Sequence, residues 1–93
     1  MGQEDWSEAI KVYSKLLNSV RNESRNNHYN EIGCLHALAV ANYELKKWQE
    51  VIELAGEALA IDISQTVAER KKKDIDHLKK LRSKALRNMN NSG

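Results

Sequence analysis

Four side chains in this 93-residue chain could do chemistry beyond packing: His28, Cys34, His36 and His77. Cys34 and His36 are two residues apart, so on a helix they project from different sides. The three histidines are scattered, and no Cys/His spacing of the usual zinc-binding kinds occurs. A thiolate–imidazole nucleophile needs the two groups in contact and a donor for the oxyanion, and no stretch supplies either. The residues therefore predict no catalytic centre, no metal and no cofactor. Cys34 reads instead as a small buried apolar residue. A single cysteine forms no internal disulfide, which suits a reducing, cytoplasmic compartment or the cytosolic face of an organelle.

Charge is the next candidate. Residues 69–87 hold nine Lys/Arg against three acids, while the remainder holds six bases against ten acids. Such an imbalance speaks about partners. The run RKKKDIDHLKKLRSKALR could face nucleic acid or an anionic membrane, and this electrostatic docking is the alternative function. Against it, the run has no Phe, Tyr or Trp on which a base could stack, and Asp74 and Asp76 interrupt it. The preferred reading is a solvated face, with acidic protein partners second. No run of about 18 apolar residues exists, so nothing spans a membrane. The opening MGQEDW resembles a myristoylation start, but its serine comes one place late, at Ser7.

The elements that carry these residues are helices. There is no proline and there are four glycines, so breakers are scarce. Trp6, Ile10, Tyr13 and Leu17 form a stripe over 4–21, with Glu4, Asp5 and Glu8 at the positive end of the helix dipole. The polar run NESRNN (22–27) ends it. Residues 28–45 are apolar nearly all round, which predicts packing on more than one face. Residues 48–61 follow a tight turn at Lys46-Lys47, and Gly56 within them predicts a close neighbouring helix. A fourth helix starts from Ser64 as N-cap and runs to about Asn88, leaving 89–93 as a frayed tail.

Two of these helices repeat one another. WSEAIKVYSKLL (6–17) and WQEVIELAGEALA (48–60) place Trp6 with Trp48, Glu8 with Glu50, Ile10 with Ile52 and Leu17 with Leu59. Repeated helical hairpins are the mark of a solenoid. Residues 35–61 resemble a tetratricopeptide repeat (TPR). Leu35, Leu38 and Ala39 look like the signature of its first helix, Trp48 like the aromatic opening its second, and Ala55 and Ala58 like later small positions. Asp62 matches the common ending, although Ile63 replaces its proline. Val51 stands where Ala is usual and Lys46 where Gly is usual. The resemblance covers one full repeat, 28–61. It implies that 4–21 is the second helix of a partial repeat and that 64–88 is a basic capping helix. The fold class is thus all-α, TPR-like hairpins of about four helices in a single domain over 1–93.

The resemblance also implies a function: a non-catalytic protein–protein interaction module, an adaptor or co-chaperone segment binding a protein or peptide. Two subfamilies are similar. Immunophilin-type co-chaperone tails share the long extension between repeats, the DW-x-x-AI-x-x-Y opening and a basic last helix. The mitochondrial fission adaptor shares LAV-x-NY-x-LK, Leu38–Lys46. The two-carboxylate clamp of chaperone-binding TPR domains does not carry over: its positions fall at Ala37, Val67 and Lys71, and Lys does not reproduce bidentate Arg. The family's groove implies His36, Val40, Tyr43 and Glu44 as contacts, and the basic helix offers Lys71 and Lys72 as charged ones. The apolar face of the first helix lacks a preceding partner, and a homodimer could cover it.

Overall fold

The computed structural model describes residues 5–22 and 28–92. Among them are five helices and no strand: Trp6–Arg21 (α1), His28–Glu44 (α2), Trp48–Leu59 (α3), Gln65–Arg70 (α4) and Lys72–Ser92 (α5). The NESRNN connection lies mostly outside the described residues, as do Glu4 and Gly93.

Each helix begins where a local signal allows it. Asp5 caps α1 by accepting from the Glu8 amide at 3.0 Å, and the Ser64 hydroxyl accepts from the Val67 amide at the start of α4. Both satisfy an amide that the first helical turn leaves unpaired. α2 is the central element, packed against α1, α3 and α5, which is why it carries apolar residues nearly all round. Ile32, Leu35 and Ala39 of α2, Val51 and Ala55 of α3, and Leu78 and Ala85 of α5 are fully enclosed in one core. α5 is the chief neighbour of α3, so the basic helix is integral to the fold.

The structure corrects the sequence reading at three places. The single fourth helix is two, broken at Lys71, whose backbone (φ −101°, ψ 13°) leaves the helical region. Arg70 to Lys73 are four consecutive cations with no apolar anchor, so packing elsewhere decides the chain's path there. The helix also runs on to Ser92 instead of fraying after Asn88, because no breaker precedes Gly93 and each added residue gains a hydrogen bond. Gly56 has no close neighbour: a Cβ built there meets nothing within 4 Å.

The turn between α2 and α3 accounts for a family departure. Lys46 has φ 60°, the left-handed region where a side chain is strained and glycine is not. Lys46→Gly and Gly56→Ala are each expected to raise stability by about 1 kcal/mol, for opposite reasons. Each should lift the thermal midpoint by roughly 4 °C or more, read by circular dichroism. A loss at Gly56→Ala would mean that a neighbour does crowd that position.

Candidate functional site

The groove beside α2 starts from α1. Val12, Tyr13 and Leu16 follow one side of α1 and remain open to solvent, Val12 at 52% and Leu16 at 47% exposure. Tyr13 and Leu16, with buried Val20, form one wall of a cavity of about 320 Å³. Its floor is the first half of α2, where Asn30, Gly33 and Cys34 lie, and Lys71 closes its far edge.

Lys71 is held in an unusual place for a lysine. Its side chain is only 13% exposed. The ammonium lies 4.2 Å from the centre of the Tyr29 ring and 3.4 Å from an Asp74 carboxylate oxygen. It also lies 3.2 Å from where a Cβ on Gly33 would be, so the missing side chain makes the space. The helix break at Lys71 and the glycine on α2 together let a cation enter an apolar groove. The ring face and the carboxylate offset its desolvation.

Asp74 is shared. Its other oxygen is 3.7 Å from Nδ1 of His36, and Nε2 of His36 lies 2.8 Å from Nδ1 of His77, with the two rings edge to face. Burial holds His36 below the usual histidine range, and the nearby His77 and Lys71 charges add to this, while Asp74 opposes it. A third cluster straps the helix ends. Arg21 at the end of α1 donates to Glu31 of α2 at 2.9 Å and to Glu57 of α3, and His28 lies 3.2 Å from Glu31. Burial raises the Glu31 carboxyl, but the bonds from Arg21 and His28 outweigh it and hold it low.

The six contact residues expected from the sequence are divided. Lys71 lines the groove. His36 is engaged by Asp74 and His77. Val40 and Tyr43 pack on the core, Tyr43 with its ring 5.1 Å from that of Trp48. Glu44 ends α2 exposed, and Lys72 begins α5 exposed. The sequence reading assigns no site role to Tyr13, Leu16, Tyr29, Gly33 or Asp74, and it names His77 only as one of three scattered histidines. The open tyrosines were visible as such, whereas the pairings across helices had no signal in one sequence.

Cys34 is buried, and burial raises its thiol above the ordinary range, so it is a poor nucleophile near neutrality. Among the described residues no group of three or more His, Cys, Asp or Glu is placed to hold a metal ion. No helix among them is long and apolar enough to cross a membrane. Lys79, Lys80, Lys84 and Arg87 rim a shallow depression around Ser83 on the outer face of α5.

A family model described as tetratricopeptide repeat matches residues 1–64, the stretch that contains α1 to α3. It describes the repeat in general, and neither subfamily resemblance gains from it. No curated protein and no solved structure matches the chain.

Proposed function

Because the chain belongs to the tetratricopeptide repeat family, whose fold typically serves protein–protein interaction without catalysis, we propose that it is a peptide-docking module of the adaptor or co-chaperone kind, working in a cytoplasmic setting. Its occupant is a short peptide segment that pairs an aliphatic or aromatic side chain with a neighbouring carboxylate. One observation carries this: a nearly buried ammonium, Lys71, at the edge of a groove walled by exposed Tyr13 and Leu16. The apolar wall accounts for the first part of the segment. The cation, whose own partner Asp74 is 3.4 Å away, can accept a second carboxylate by charge complementarity. Val40, Tyr43 and Glu44 follow His36 along α2 at helical spacing and extend the surface toward Trp48. The outer basic face has no aromatic platform and is assigned no nucleic-acid or membrane role.

A displayed random-peptide library, selected on the full chain, tests the proposal. Recovered peptides should be enriched in an acidic residue beside a large apolar one. Lys71→Met, or the pair Tyr13→Ala and Leu16→Ala, should weaken them by about tenfold, a loss of about 1.4 kcal/mol. Lys79→Gln with Lys80→Gln should leave them unchanged. Binding that survives the groove variants would overturn the assignment. So would a chain that binds no peptide and sediments as a dimer dissociated by Leu16→Asp, since a second copy would then cover this face.

A further inference from the structure

We propose that His36 and His77 form a two-imidazole site for a borderline divalent cation such as Zn²⁺ or Ni²⁺, a clasp that joins α2 to α5. The two nitrogens that would bind it, Nε2 of His36 and Nδ1 of His77, already face each other at 2.8 Å across 41 residues of sequence. Behind them stands the group that such ligands normally require. An Asp74 oxygen lies 3.7 Å from the opposite nitrogen of His36, longer than a hydrogen bond, where its charge favours a proton on that nitrogen and leaves Nε2 free to coordinate. Asp74 also supplies negative charge on the far side of the His36 ring from the cation, opposed by Lys71 on its other oxygen. Imidazole is a ligand of choice for these metals, and both rings must be neutral to bind. His77 is exposed, so the cation and its waters reach the site from solvent.

The exchange balances without redox chemistry. In the metal-free pair one facing nitrogen donates its proton to the other. On binding, that ring carries its proton on the distal nitrogen instead, and two lone pairs form two coordinate bonds. No proton is released from the neutral rings. Zinc–nitrogen bonds of about 2.0–2.1 Å at a tetrahedral angle set the nitrogens about 3.3 Å apart, roughly half an ångström wider than now. The exposed His77 side chain can supply that shift by a small rotation. With no third protein ligand among the described residues, water fills the remaining positions and the metal is exchangeable. The inference does not depend on the peptide groove.

The test uses chelator-treated full chain with the metals alone. Near pH 7.5, about 0.5 mM Zn²⁺ or Ni²⁺ should raise the thermal midpoint by roughly 4 °C or more, and Mg²⁺ should not. The rise should vanish in His36→Asn and in His77→Asn. In Asp74→Asn it should require about tenfold more metal. No rise with Zn²⁺ or Ni²⁺ in the wild-type chain would overturn the proposal, as would a rise that both Asn variants keep. A second readout needs no variant: imidazole ¹⁵N spectra of the wild-type chain during a Ni²⁺ titration. His36 and His77 should broaden first, and His28, bonded to Glu31 on α2, should serve as the internal control. Equal response at all three histidines would mean indiscriminate surface binding and would end the proposal.

Discussion

Leu78→Ala is expected to lower the unfolding free energy by about 3 kcal/mol, a loss made up of lost transfer energy and the cavity left behind. Leu78 is fully enclosed, on the helix that is the chief neighbour of α3 and that also meets α2. Leu86, on the same helix but 42% exposed, is the matched control and should cost less than about 1 kcal/mol on replacement by Ala. Urea unfolding by linear extrapolation would give both values. The comparison bears on function because α5 lies beyond the stretch that the family model matches, yet Asp74 and His77 sit in its first two turns. A hole at Leu78 is therefore expected to raise hydrogen exchange across 72–82 before it does so in α1. Similar losses for Leu78→Ala and Leu86→Ala would mean that α5 is a loosely held tail, and the groove would lose its far edge.

How much of this was legible in the sequence depends on what kind of information periodicity carries. A stripe of apolar residues reports which face of a helix is buried, so α1, α2 and α3 were readable to within about two residues at each end. Ser64 as a cap was equally local. Periodicity does not report which helix covers that face. Gly33 and Gly56 look alike in sequence, yet only Gly33 has a neighbour within 4 Å, the ammonium of Lys71. His28 and His36 share α2, but one turns to Glu31 and the other to α5. The break at Lys71 was unreadable because RKKK contains no breaker, and the contact that accompanies it, the ammonium over the Tyr29 ring of α2, is tertiary. The family resemblance supplied the architecture and flagged Lys46. It pointed toward His36, Val40 and Tyr43 along α2, whereas the cavity walled by Tyr13 and Leu16 lies beside the start of that helix and had no signal in the repeat motif.

The twin tryptophans separate sequence repetition from structural equivalence. Trp48→Ala is expected to cost about 3 kcal/mol, and Trp6→Ala less than about 1 kcal/mol, although both open the same motif. Trp48 packs against the core and meets the edge of Tyr43 at 5.1 Å, with an interplanar angle of 69°. Such an aromatic pair adds about 0.5–1.5 kcal/mol to simple burial. Its helix, α3, lies against both α2 and α5, whereas α1 packs chiefly on α2. Trp6 is half-buried and is not among the residues packed against the core. The asymmetry reaches the surface: Trp48 packs on Tyr43 near the end of α2, while the α1 copy leaves Tyr13 and Leu16 exposed to solvent, as the proposed peptide site requires. Chemical unfolding of the two variants, followed by circular dichroism, measures the difference, and the remaining tryptophan's fluorescence in each reports how far its environment is enclosed. Equal costs would mean that α1 is anchored as firmly as α3, and an open wall on α1 would then need another cause.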